Sequence, residues 1–144
     1  GFLNAPDVYM DKIAVGGGLP KDIVDLDETP KKNLQNLASA KKTDINNLVV
    51  CILDRPRHKD IISLCRESGV RIILIPDGDV SGIIATSNPN SGIDMYIGIG
   101  GAPEGVLAAA ALRCMGGQMQ ARLKFNQNRF DRINFHQGIG GDEF

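Results

Sequence analysis

The sequence predicts an α/β fold, a central mostly parallel or mixed sheet with helices on its faces. Two apolar runs, 48–53 and 70–75, are dense in valine, isoleucine and leucine and read as strands buried on both faces. A third run, 93–97, leads through a glycine cluster into an alanine-rich helical stretch, 106–115. Helical patterns separate the three runs, giving β-α-β-α-β-α, and right-handed crossovers are the default for such a unit.

Taken in order, Tyr9 to Val15 reads as a short strand closed by Gly16-Gly17-Gly18. Residues 19–28 are acidic and irregular. Thr29-Pro30 opens a helix, with Thr as N-cap and Pro at the first position. Leu34, Leu37 and Ala38 give that helix an apolar face, and Lys41-Lys42 suit the negative end of its dipole. Thr43-Asp44 caps a further turn through Asn46. After the 48–53 strand, Pro56 starts a helix to Glu67 or Ser68, with Ile61, Ile62, Leu64 and Cys65 inward and Gly69 as terminator. Pro76 ends the second strand. A short helix over 80–86 follows, then turn chemistry at Asn88-Pro89-Asn90-Ser91-Gly92. The stretch Gly98-Ile99-Gly100-Gly101-Ala102-Pro103-Glu104-Gly105 reads as strand end, glycine turn and helix start. Gly116-Gly117 breaks the last helix. Residues 118–125 alternate polar and apolar, as a half-exposed strand does, and 126–144 reads as a loosely held or truncated tail.

At 144 residues the chain is one domain by length, and its 42% apolar content suffices for a core. Sixteen Lys and Arg against 17 Asp and Glu argue against a polyanion such as nucleic acid as partner. No apolar run approaches the roughly 18 residues of a membrane span. Gly1-Phe2-Leu3-Asn4 leads straight into Ala5-Pro6-Asp7, so no signal peptide is expected there. Cys51, Cys65 and Cys114 are odd in number and sit in apolar runs, which predicts reduced core thiols and a cytoplasmic location.

In a parallel α/β sheet the strand C-termini share one edge, and ligands bind there. Three loops bring unusual residues to that edge: Asp54-Arg55-Pro56-Arg57-His58, Asp77-Gly78-Asp79, and Gly98 to Glu104. Each has a plain structural reading beside a functional one. Arg55 and Arg57 are surface charges or phosphate ligands. Asp79 is a helix N-cap and Asp77 a turn residue, or both hold sugar hydroxyls or a metal. Glu104 complements a helix dipole or meets a ligand. Tyr9 is an edge aromatic, and His58 reads as a solvated residue. Jointly they suggest a phosphorylated, hydroxyl-rich ligand. Pro103 breaks a Gly-x-Gly-x-x-Gly fingerprint, and Val106-Leu107 stands where a P-loop needs Lys and Ser or Thr.

Four motifs in order, Ala5-Pro6-Asp7-Val8-Tyr9-Met10, Asp54 to His58, Ile75-Pro76-Asp77-Gly78-Asp79-Val80, and Gly98 to Val106, resemble the class II fructose-1,6-bisphosphatases of the GlpX type. The resemblance runs from about Asn4 to Phe125. It implies the C-terminal half of an inositol-monophosphatase-like αβαβα fold, with 1–125 as a sugar-phosphate-binding α/β domain. It implies hydrolysis of the 1-phosphate of fructose 1,6-bisphosphate in gluconeogenesis and glycerol metabolism, by metal-assisted attack of water, with Mn2+ or Mg2+. Some photosynthetic members also accept sedoheptulose 1,7-bisphosphate. By motif match, Tyr9, Arg55, Arg57, Asp77, Gly78, Asp79 and Gly101 bind substrate, and Glu104 is a metal ligand. No residue is assigned as the general base. The family's N-terminal carboxylates, including an acidic motif ending in Gly-Thr, do not appear. The expectation is therefore an incomplete enzyme: binding retained, turnover by this chain alone nearly lost, and an exposed apolar face where the missing half would pack. A non-catalytic phosphosugar-binding module is the competing reading. A homo-oligomer is expected for the complete protein.

Overall fold

The computed structural model describes residues 9–124 and the strand 130–136. Among the described residues there are six strands, β1 (Tyr9–Val15), β2 (Val49–Leu53), β3 (Arg71–Ile75), β4 (Met95–Gly101), β5 (Gln118–Lys124) and β6 (Phe130–His136). Four α-helices connect them: α1 (Pro30–Lys41), α2 (Lys59–Glu67), α3 (Asp79–Ala85) and α4 (Ala102–Cys114). They build one mixed sheet in the order β3-β2-β4-β1-β5-β6. β3, β2 and β4 are parallel, as the alternating pattern requires. β1 enters antiparallel between β4 and β5, and β6 pairs antiparallel with β5. An apolar run carries no direction of its own, so the antiparallel half was not legible from composition.

Strand pleating sends alternate residues to opposite faces. Ile13, Val50, Ile52 and Met95 meet Leu34, Leu37 and Cys65 on the face covered by α1 and α2. Met10, Ala14, Cys51, Tyr96 and Met119 meet Ile83, Ala108 and Leu112 on the face covered by α3 and α4. The result is a helix–sheet–helix sandwich. α1 begins as its sequence predicts: Thr29 Oγ1 accepts from the Lys32 N–H at 3.1 Å, with Pro30 in the first turn. Lys42 ends it in the left-handed conformation, φ 56°.

Several expectations need correction. β3 is not buried on both faces. It is the sheet's edge among the described residues, and Ile73 and Leu74 are exposed. Leu64 of α2 points outward, because Cys65 takes the inward position at that turn. Cys114 is exposed, whereas Cys51 and Cys65 are buried as expected. Burial pushes both buried thiols up to about 11, with the Asp79 charge adding at Cys51, so both stay protonated and inert. Residues 130–136 of the expected tail form β6; the rest of that segment, and the motif before Tyr9, lie outside the described residues. Val106 and Leu107 of α4, and Met115 at its C-cap, are exposed.

The largest correction concerns the glycine turn. Gly98, Gly100 and Gly101 continue β4 as paired strand, and α4 starts directly at Ala102, with Gly101 as N-cap. Gly98 and Gly100 are there because side chains from elsewhere crowd that face. A Cβ at Gly98 would stand 3.2 Å from His58 Nε2, and one at Gly100 would stand 2.6 Å from Asp79 Oδ2.

Gly82 of α3 is pressed in the same way against the Tyr96 ring, where a Cβ would meet Cε2 at 2.9 Å. Gly82→Ala gains about 1 kcal/mol of helix propensity and loses about 1–3 kcal/mol to overpacking against a rigid ring. The net expectation is a less stable chain. Urea unfolding at equal m-value checks it, and a higher midpoint would refute it.

Candidate functional site at the C-terminal edge of the parallel strands

β2, β3 and β4 run parallel, so Leu53, Ile75 and Gly101 end at one edge. β1 runs the other way, so its first residue, Tyr9, lies opposite Gly101 at that same edge. Every residue expected to bind substrate or metal therefore sits on, or next to, one rim of the sheet.

Backbone carbonyls hold the loops together. Arg55 donates from Nη1 to Pro76 O at 2.6 Å and to Asp54 O at 3.0 Å, bridging the loop after β2 to the loop after β3. Arg57 donates from Nε and Nη2 to Ile99 O at 2.9 and 2.7 Å, bridging the first loop to β4. Both arginines thus have part of their planar donor set committed to backbone, and Arg57 remains exposed. Asp77 and Gly78 are exposed; Gly78, φ 89°, supplies the left-handed residue before α3. Glu104, in the first turn of α4, is exposed, and its Oε1 lies 3.8 Å from where a Gly101 Cβ would stand. Tyr9 is also exposed.

His58 is not the solvated residue the sequence suggested. It is fully buried. The Ile99 N–H donates to Nε2 at 2.8 Å, which assigns the proton to Nδ1, and Nδ1–H then donates to Leu53 O at 2.8 Å. The peptide groups flanking Ile99 are gripped on both sides, by His58 at the N–H and by Arg57 at the carbonyl. Burial lowers the His58 pKa from its ordinary value. Arg57 acts in the same direction, while the bond to Leu53 O and the Asp79 charge oppose it.

Asp79 is not the N-cap of α3, a place Gly78 takes, but its buried first residue. Its carboxylate is buried and forms an ion pair through Oδ2 with Lys12, itself fully buried on β1. Asp79 Oδ1 and the Tyr96 hydroxyl are buried without a hydrogen-bond partner. Lys12 was missed by the sequence reading, although a signal existed: it falls in phase with Met10 and Ala14, on the core side of an alternating strand. Asp11, on the opposite face, has its pKa raised by burial, against the pull of Lys124 and Arg122. Among the described residues no group of three or more His, Cys, Asp or Glu side chains could hold a metal ion. Glu104 belongs to no such group, so these residues by themselves do not fit a divalent ion.

The His58 geometry has a pH consequence. Its folded pKa lies below the unfolded value of about 6.5, so its contribution is present above that pH and lost as pH falls through the folded pKa. His58→Gln should therefore cost most in melting temperature near pH 7.5 and progressively less toward pH 5. A gap between the two proteins that stays constant over that range would exclude His58 as the source.

The family model for bacterial, glpX-encoded fructose-1,6-bisphosphatase matches residues 1–142. The chain is 46% identical over 122 residues to the class 2 fructose-1,6-bisphosphatase of Haemophilus influenzae, and 48% identical over 122 residues to fructose-1,6-bisphosphatase 1 class 2 of Escherichia coli. It is 45% identical over 126 residues to a protein of Synechococcus named D-fructose 1,6-bisphosphatase class 2/sedoheptulose 1,7-bisphosphatase. These matches cover 85%, 85% and 88% of this chain and 36% of each relative, so the chain spans about a third of their length. With almost its whole length matched, the chain belongs to the bacterial glpX-encoded fructose-1,6-bisphosphatase family.

Proposed function

We propose that this chain is the sugar-phosphate-binding part of a phosphatase that hydrolyses the 1-phosphate of fructose 1,6-bisphosphate, a step of gluconeogenesis and glycerol metabolism. One observation carries the reading: Arg55 and Arg57, anchored on Pro76 O and Ile99 O, tie the loops after β2 and β3 to the end of β4, and strand pairing sets Tyr9 on the same rim. Guanidinium groups with remaining donors suit phosphate oxygens. The exposed Asp77, beside Gly78, suits sugar hydroxyls, and Tyr9 opposite Gly101 offers an aromatic flank and a phenol. Asp79 acts from beneath the loop. Glu104 gives one carboxylate to a Mn2+ or Mg2+ site whose other ligands lie outside the described residues. The complete protein is proposed to work in the cytoplasm as a homo-oligomer, supported by the free thiols and the exposed apolar side chains of α4. This chain by itself is expected to bind without appreciable turnover.

Calorimetric titration with fructose 1,6-bisphosphate tests this. The chain should bind, and Arg57→Ala should weaken binding by about tenfold or more, since a charge-assisted bidentate contact is removed. Absence of heat at millimolar ligand would overturn the reading. Turnover by the chain at the rate of a family-length enzyme would overturn the division of labour.

The relative from Synechococcus, named for both substrates, favours a second reading in which the seven-carbon bisphosphate is also accepted. Competition between the two sugars for a family-length protein carrying this segment decides it: mutual displacement at similar concentrations supports dual use, and failure of the longer sugar to displace the shorter refutes it.

A further inference from the structure

We propose that Lys12 is a positioning residue for sugar-phosphate binding, acting through its buried ion pair with Asp79 to fix the 77–79 loop against the glycine end of β4. The proposal rests on the functional reading above. Lys12 is fully buried at the middle of β1, so it never reaches the rim itself. Its partner Asp79, 67 residues away, is the first residue of α3 and directly follows the exposed Asp77-Gly78.

Two glycines from separate elements clear the path. A Cβ at Gly105 of α4 would stand 3.0 Å from Lys12 Cε and collide with Met10 Sδ. A Cβ at Gly100 of β4 would stand 2.6 Å from Asp79 Oδ2 and 3.0 Å from Lys12 Nζ. Neither glycine has the positive φ that would demand glycine for backbone reasons. Their smallness serves the ion pair. A buried pair of this kind is generally replaceable by packed apolar residues at little cost in stability, so stability alone does not account for keeping two charges inside. The pair does something an apolar contact does not: it ties the carboxylate at the head of α3 to a fixed point on the central sheet. Asp79 Oδ1, unpartnered and enclosed, leaves an acceptor directly behind the loop. Displacing Asp79 therefore moves Asp77 and Gly78 relative to Arg57 and Gly101.

The test titrates fructose 1,6-bisphosphate into the 144-residue chain while following amide signals and amide hydrogen exchange. Lys12→Met removes the tether. Gly100→Ala keeps both charges and pushes them apart. Leu37→Ala, in the core on the opposite face, controls for general loosening. Lys12→Met and Gly100→Ala should each weaken binding by about tenfold or more and speed exchange at Asp79 and Gly82. Leu37→Ala should leave the dissociation constant within about twofold. Should Lys12→Met fail to fold, Gly100→Ala decides. Binding by the decisive variant within about twofold of the unmutated chain, or equal weakening by Leu37→Ala, overturns the proposal. If the unmutated chain takes up no sugar phosphate, the functional reading falls; unchanged exchange at Asp79 and Gly82 in both variants would then overturn the positioning role separately.

Discussion

The Lys12–Asp79 ion pair is the constraint around which this edge of the molecule is arranged. It lies between the sheet and the α3–α4 layer, where an ammonium and a carboxylate are tolerated only as partners. Removing one member of such a pair generally costs about 3–5 kcal/mol, because the other charge is left stranded. That asymmetry explains the local sequence. The strand above must be glycine at Gly100, or the pair has no room, and the helix beside it is glycine at Gly105, where a Cβ would collide with Met10 Sδ and press on Lys12 Cε. The same crowding operates at Gly98, where the His58 ring fills the space a side chain would take. A run of glycines that resembles a ligand-cradling turn is instead a paired strand thinned to admit three buried polar side chains.

His58 and the two arginines extend the same logic to the surface. Each uses a backbone carbonyl or N–H as its anchor, so the loops after β2 and β3 are fixed to each other and to β4 by hydrogen bonds that owe nothing to a ligand. Pre-set donors lose less conformational entropy when a phosphate arrives, which is the advantage of an arginine already held by its neighbour. The burial of His58 gives this scaffold a sensitivity to acid, because a protonated ring can no longer accept from the Ile99 N–H.

Much of the fold was legible. Thr29-Pro30 gave the start of α1 because its capping hydroxyl acts within three residues. Gly69, φ 87°, ended α2 for a reason equally local. The three parallel strands followed from apolar runs too short for helices. β3 was misjudged, since an edge strand and a central one can carry the same composition, and only the neighbour list separates them. The rim was legible as well: Arg55, Arg57, Asp77, Gly78, Gly101 and Glu104 flank strand ends, and strand ends share an edge in any parallel sheet.

The sequence by itself determined the family through its motifs, the order of strands and helices as far as β5, and which strand-end loops share the rim, because caps, turns and hydrophobic period act over a few residues. Only the tertiary structure decided that β1 lies antiparallel in the middle of the sheet, that His58 is buried, and that Asp79 turns inward to Lys12. The last two outcomes depend on contacts between residues 41 and 67 positions apart, and no local pattern encodes a charge's distant partner.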